Sequence, residues 1–487
     1  MTGAVSLATN AVITNTATAT VSHLATLGTG QKWIGSAASD VVQMGASTVA
    51  SDLGDGADTL VIPDSVVAMG TGGSVSGGAG AADTIKFVTY ADAVSASSSA
   101  VFKAGVTNFE KVDLNGGNLV ALAVVDLANL GTGITSVTLS ATNAETTTIN
   151  NLAANGTVTV SINQTAAKPA TVNLVDTTGN ADTMNVVLTK ATALANVGLT
   201  LPGIETVKIT STETATTLLG TVTHAATLSA TSATSLIISG NAGVTLGTLT
   251  GDLALTSIDA SGVTLLANSA GALVSFTTGG LLSAATIKGG TGPNTIVASP
   301  ATQSVTYIGQ EKVDTITINN TLNNNVTTAG GNDIIVTGSG FDIINAGTGD
   351  DTITSGTGLD VINVGTGNDT VVVVANANGN VYSTITGMGA ADKIDFVAGG
   401  GIATFVTAKI VLAGTAAFAD FLQAAAAGAN DRISWFQYSG DTYLVHDTNS
   451  GNATFTNGTD YVVKLVGTVD LSTATIDGAV TNVLTLA

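Results

Sequence analysis

Residues 346–372 read AGTGDDTITSGTGLDVINVGTGNDTVV, in which an aspartate returns every nine residues, each time behind two glycines and ahead of an aliphatic residue. Working outward, five unbroken nonamers fill residues 328–372: TAGGNDIIV, TGSGFDIIN, AGTGDDTIT, SGTGLDVIN and VGTGNDTVV. The sixth position is Asp333, Asp342, Asp351, Asp360 and Asp369; the eighth is Ile335, Ile344, Ile353, Ile362 and Val371. Six residues of turn and three of strand make half a coil, so the next nonamer returns along an opposite sheet. Roughly eighteen residues then complete one turn of a flattened parallel roll. This spacing predicts Asp333, Asp351 and Asp369 on one edge, Asp342 and Asp360 on the other, and the eighth-position aliphatics between the sheets.

The second and fourth positions carry Gly338, Gly347, Gly356 and Gly365, and Gly331, Gly340, Gly349, Gly358 and Gly367. Glycine admits the left-handed backbone of a tight turn and leaves main-chain carbonyls accessible. Stacked carboxylates repel one another, so these turns are penalised unless a cation neutralises them. Calcium takes about six to eight oxygens in a tolerant geometry, which two turns of carboxylates and carbonyls supply, whereas magnesium demands a rigid octahedron. These glycines and aspartates are therefore the candidate Ca2+ ligands. Turn chemistry alone also favours Asp and Gly. For an isolated copy the two readings stand level; for five in tandem the cation reading is the stronger.

Degenerate copies lie elsewhere. LGDGADTLV (53–61) contributes Gly54, Gly56 and Asp58, GSAASDVVQ places Asp40 eighteen residues earlier, and GGAGAADTI (77–85) holds Asp83. In GGTGPNTIV (289–297), Asn294 stands where the aspartate belongs.

Composition bounds the partners. Thirteen basic against 34 acidic residues give a net charge of −21 over 487 residues, which argues against nucleic acid and towards cations. There is no cysteine, hence no disulfide, thiolate metal site or cysteine nucleophile. The mean hydropathy is positive, +0.45, yet apolar runs such as NLVALAVVDLANL are short, so no membrane insertion is expected. The start lacks a basic segment followed by a compact apolar one, so export, if it occurs, uses another address than a cleaved signal peptide.

The expected fold is all-β, a parallel β-helix or β-roll solenoid with one short helix near the C-terminus. We divide it into a degenerate roll (1–95), a Thr/Ala/Gly-rich stacked β region (96–285), the nonamer roll (286–400) and a C-terminal cap with an export-signal region (401–487). NFEKVDL (108–114) and GIETVKI (203–209) read as copies of one strand-forming unit. The helix is TAAFADFLQAAAAG, with Thr415 as its cap, Phe418, Phe421, Leu422 and Ala425 on one face, and Gly428 as its stop. WFQY, SGD and TYLVHD then spell a hairpin.

No catalytic residue is assigned. His23, His224 and His446 are far apart in sequence, and neither HExxH nor GxSxG occurs. The acidic pairs Asp350/Asp351 and Asp392/Asp395 read as calcium ligands or turn residues in preference to a general acid and base, and Trp33 and Trp435 as packing residues.

Through the tandem nonamers, ITGMGAADKIDF (385–396), SLIISGNAGVTL, and the long ending from SWFQYSGDTYLVHD to VLTLA, the chain resembles the RTX-type calcium-binding S-layer proteins of Gram-negative bacteria, of the Caulobacter type. The likeness is to their lattice-forming C-terminal part. The resemblance implies secretion through a type I apparatus reading an uncleaved C-terminal signal, Ca2+-dependent folding outside the cell, and self-association into a two-dimensional lattice on the cell surface. The portion that in this family attaches to surface polysaccharide has no counterpart here. The alternative is an RTX adhesin, or the non-catalytic C-terminal part of a secreted enzyme.

Overall fold

The computed structural model describes residues 9–17, 20–46, 48–63, 72–80, 82–115, 123–131, 133–142, 145–165, 168–215, 222–249, 251, 254–264, 273–299, 301–397, 403–428, 431–448, 454–476 and 482–487. Two compact units, 1–253 and 254–487, make up the chain.

In the first unit, short parallel strands rich in Thr and Val stack in register, each showing one side chain in and the next out. That alternation follows from the two-residue period of a strand with one buried face. One ladder runs from Val21–Leu27 through Asp40–Met44, Thr59–Ile62, Thr84–Phe87, Lys111–Leu114 and onward to Ser235–Gly240. Its inward column is Val42, Leu60, Ile85, Val112, Val137, Val158, Val186, Ile209 and Ile238, each paired with the next and each buried. Removing such a side chain from water stabilises by about 1.5–3 kcal/mol, so the column is the core of the unit. The opposite face is made by the parallel series from Val12–Thr14 to Val106–Thr107 and from Ala123–Asp126 to Gly243–Thr248. Trp33 is buried there, as a packing residue, with its ring 5.7 Å from that of His23.

Two helices that the sequence reading does not anticipate interrupt this unit: α1, Tyr90–Ser97, and α2, Ala100–Gly105. Their signals are local. The Thr89 hydroxyl accepts the N–H of Asp92 and donates back to its carboxylate, and the Ser99 hydroxyl accepts the N–H of Phe102. Such caps satisfy N–H groups that a helix start leaves unpaired. Tyr90 and Phe102, both buried, anchor the pair.

The second unit repeats the architecture with two inward columns. One is Ile296, Ile316, Ile335, Ile353, Val371 and Ile394; the facing one is Ile287, Tyr307, Val326, Ile344, Ile362 and Ile385. The eighth-position aliphatics of all five nonamers are thus core residues, and successive nonamers alternate between the two faces. Past the nonamers each face gains a further parallel strand, Ser383–Thr386 and Lys393–Phe396, before antiparallel pairing takes over. Ser383–Thr386 pairs with Tyr461–Leu465, which continues into the antiparallel hairpin Arg432–Tyr438/Asp441–Asp447. The hairpin turns through Ser439 and Gly440, both at positive φ, the two-residue turn that matches strand twist. Lys393–Phe396 is covered by an antiparallel strand from the chain end, Val483–Thr485, with Leu484 and Leu486 buried. Helix α3, Phe418–Ala426, packs Phe421, Leu422 and Ala425 on Phe436 and Tyr443. Its cap is Ala417, not Thr415: the Asp420 carboxylate reaches back to the Ala417 N–H at 2.8 Å, so the acidic residue in the first turn takes over the capping role.

Candidate metal centre

Strand register sets the site. Ile335 pairs with Ile353 and Ile353 with Val371, each one coil of eighteen residues apart, so the aspartates two positions earlier stack along one edge. Ile344 and Ile362 do the same for Asp342 and Asp360 on the other edge. Within each stack the carboxylates are linked head to tail. Oδ1 of Asp351 accepts the main-chain N–H of Asp333 (2.8 Å), Oδ1 of Asp369 that of Asp351 (2.9 Å), and Oδ1 of Asp392 that of Asp369 (2.8 Å). On the second edge Asp342 accepts from the Asn324 N–H (2.7 Å) and Asp360 from the Asp342 N–H (3.1 Å). Every one of these carboxylates is buried. The second oxygens, Oδ2 of Asp333, Asp342, Asp351 and Asp369, are buried and meet no protein donor. A native fold rarely leaves such atoms unpaired without a water or an ion to meet them.

Electrostatics point the same way. Burial, the largest cause, pushes the carboxyls of Asp333 and Asp342 above their ordinary value, that of Asp351 up to about 7, and those of Asp360 and Asp369 up to about 6. The charges of Asp333, Asp369 and Asp350 add to the rise at Asp351. A divalent cation reverses that penalty by favouring the ionised form. No three His, Asp or Glu side chains converge on one point among the described residues, so an ion at these turns takes much of its oxygen shell from main-chain carbonyls. Hard oxygen donors of mixed kind at a glycine-rich turn suit Ca2+.

The glycines make the turns stackable. Gly349 and Gly367 have φ of +125° and +143°, and a Cβ on either would sit 1.9 and 2.1 Å from the carbonyl oxygen of Gly331 and Gly349, one coil earlier. Gly340, Gly347, Gly356, Gly358, Gly365 and Gly331 share the positive φ and the crowding. Gly338 has no positive φ: a Cβ there would lie 1.8 Å from the Asn320 carbonyl oxygen, so it is needed for close approach and not for left-handed backbone. Conversely, the second position of the first nonamer is Ala329 at φ +73°.

The first unit carries a parallel arrangement. Asp58 Oδ1 accepts the Asp40 N–H (2.6 Å), Asp83 Oδ1 the Asp58 N–H (2.7 Å), and Glu110 the Asp83 N–H (3.0 Å). All three aspartates are buried with Oδ2 unpartnered. Burial raises Asp83 and brings Asp58 to about 7. Gly54 and Gly56 again have positive φ. Further down this ladder Glu205 accepts the Asp182 N–H (2.9 Å), the contact that Glu110 makes to Asp83. NFEKV and GIETV therefore place their glutamates at equivalent points.

Several members of these rows escape a motif search. Asp314 donates its N–H to Asp333 Oδ1 (2.7 Å), and Asn324, Asp392, Glu110 and Glu205 occupy corresponding steps. Their common signal is an acidic residue or Asn at the start of a short strand or immediately ahead of it. The acidic pairs separate: Asp350 is exposed while Asp351 is buried, and Asp392 is buried while Asp395 lies on the outward side of its strand. Of the histidines, His224 is buried and accepts the Leu194 N–H (3.0 Å), and His446 is buried between the rings of Phe396 and Tyr461. Trp435 is a packing residue whose indole N–H meets the Thr407 carbonyl (3.1 Å).

No curated protein matches the chain. A family model, the RTX calcium-binding nonapeptide repeat (4 copies), matches residues 320–344, 327–362 and 336–371. Stacked nonamers with buried, unpartnered carboxylate oxygens and this match lead to one conclusion: residues 320–371 are RTX calcium-binding nonapeptide repeats, and their ion is Ca2+.

Proposed function

We propose that this protein is a secreted structural component of a bacterial surface layer, which folds fully when Ca2+ binds its nonapeptide turns and then associates with copies of itself into a two-dimensional lattice. The repeat block is of a structural, non-catalytic type, and proteins carrying it are typically exported by type I secretion. The observation that carries the reading is the row of buried Oδ2 atoms on successive turns. It makes the roll conditional on a cation that is abundant outside a cell and scarce within. Extracellular calcium modules work at about 10⁻⁴–10⁻³ M, so the nonapeptide turns stay open and threadable inside and close outside.

Association is supported by the surface of the even nonamers. Phe341 and Leu359, 41% and 50% exposed, occupy the fifth position one coil apart, and Ile343 and Val361 are exposed and paired beside them. The odd nonamers hold Asn332, Asp350 and Asn368 at that fifth position. One edge of the roll is therefore apolar on a molecule whose charge of −21 otherwise keeps copies apart. The test is to add Ca2+, Sr2+ or Mg2+ to chelated protein and follow light scattering and negative-stain images. Ordered sheets with Ca2+ and, less readily, Sr2+ are expected. Monomers at every Ca2+ concentration would remove the lattice and favour an adhesin or an enzyme's C-terminal part.

A further inference from the structure

The aspartate row of the second unit does not end in solvent or in another unpartnered oxygen. Asp314 occupies the step before Asp333 and makes the same link to it, but both its oxygens are satisfied by protein: Oδ1 accepts from the Asn294 side-chain amide (2.7 Å) and Oδ2 from the Tyr307 hydroxyl (2.9 Å). All three residues are buried. Tyr307 stands in register between Ile287 and Val326, in a column otherwise aliphatic through Ile344, Ile362 and Ile385. From that core position its hydroxyl reaches across to Asp314. Two glycines clear its path: a Cβ on Gly309 would lie 2.1 Å from Asp314 Oδ2, and one on Gly289 2.5 Å from the tyrosine oxygen. On the other edge Asn324 closes the row in the same sense, its amide donating to Asp342 Oδ1 (2.9 Å) and to the Leu322 carbonyl (2.7 Å).

We infer that Tyr307 is a built-in substitute for a cation: with Asn294 it gives Asp314, through O–H and N–H donors, the positive partner that Ca2+ gives the aspartates further along, and so ends the calcium row of the second unit and makes the coils of that unit before it independent of the ion. An unpartnered buried carboxylate oxygen needs either a donor or a cation; Asp314 has the donor, and Asp333, Asp351 and Asp369 do not. The coils ahead of the nonamers are then a preformed end on which the calcium-dependent turns stack. The inference rests on the proposal that the ions lie at the unpartnered oxygens.

The test is Tyr307→Phe in the full chain, read by calorimetric Ca2+ stoichiometry and by melting in chelator and in millimolar Ca2+. Loss of the hydroxyl leaves Asp314 Oδ2 like that of Asp333, so one more Ca2+ should bind. The variant should melt lower than wild type in chelator, with much of the loss recovered in Ca2+. Adding Asp314→Asn should abolish the extra ion. Equal losses in both media with unchanged stoichiometry would make Tyr307 a hydrogen-bonding core residue only and overturn the inference. If Tyr307→Phe fails to fold, Asp314→Asn alone decides: unchanged stoichiometry supports the inference, and loss of one ion shows Asp314 to be a ligand already and refutes it. A wild type that binds no Ca2+ at all defeats the proposed function instead.

Discussion

Replacing Asp351 by asparagine separates the two duties of its carboxylate. Oδ1 receives the Asp333 N–H at 2.8 Å, a contact an amide oxygen keeps, while Oδ2 is buried without a protein partner and becomes an amide nitrogen. In chelator the substitution removes a buried charge. The folded carboxyl sits at about 7 against an ordinary 3.8, and at about 1.4 kcal/mol per pH unit this caps the penalty of its ionisation at about 4 kcal/mol. Water at the edge screens part of it, leaving about 2 kcal/mol as the expected gain at pH 7. In millimolar Ca2+ the sign reverses, because the ion loses a carboxylate from its shell and affinity falls roughly tenfold or more.

The assay is therefore paired: melting of wild type and Asp351→Asn in chelator and in Ca2+, with calorimetric titration of the ion. The variant should be the more stable protein in chelator and the less stable one in Ca2+. Asp350→Asn is the control, since Asp350 is exposed and its Oδ1 accepts only from Asn368, from the main-chain N–H and the side-chain amide; it should shift both curves alike, within about 0.5 kcal/mol. An equal destabilisation by Asp351→Asn in both media, with Ca2+ affinity intact, would refute the assignment of Oδ2 to the ion.

Three further outcomes are expected. Because burial raises Asp351 to about 7 and Asp360 and Asp369 to about 6, the chelated roll is most stable below the unfolded carboxyl value near 3.8 and loses that stability as pH rises through 6–7. Ca2+ affinity should accordingly fall on acidification below about 6, and a flat calorimetric profile from pH 5 to 8 would contradict this. His446 pulls the other way: burial lowers it to about 4, and neither ring nitrogen has a partner. It should thus withdraw up to about 3 kcal/mol as pH falls from 6.5 towards 4, a loss that His446→Phe should abolish in acid melts. Gly349→Ala meets both a φ of +125° and the Gly331 oxygen, whereas Gly440 at +93° has nothing near its Cβ. The first should cost more than about 3 kcal/mol and the second about 1, by chemical denaturation.

Legibility followed the exactness of the period. Where the repeat holds at eighteen residues, as from Asp333 to Asp369, register, edges and core could all be written from the chain. Asp314 escaped because its step to Asp333 is nineteen residues, and Glu110 because α1 and α2 are inserted between Asp83 and its partner, stretching the step to 27. Those helices escaped for a related reason: in an Ala- and Ser-rich stretch they show no broad apolar stripe and are marked only by Thr89 and Ser99 at their starts. Thr415 misled because Asp420 could cap from within the first turn.

The deeper limit is that an aspartate's place in a row says nothing about what its second oxygen meets. Asp392 has the Gly389 N–H (2.6 Å), Asp360 the Ser383 hydroxyl (3.3 Å), Asp314 the Tyr307 hydroxyl, and Asp333, Asp351 and Asp369 nothing. All six are written Asp, and the donor that distinguishes three of them is between three and 23 residues away in sequence. The demand for a cation is thus a property of the folded row, graded along its length by neighbouring donors: it is greatest at the middle turns and met by the protein at the ends. Such grading lets the ends of the row fold without the ion and confines its action to the middle. On the proposed reading Ca2+ acts locally, at the middle turns whose second oxygens have no protein donor.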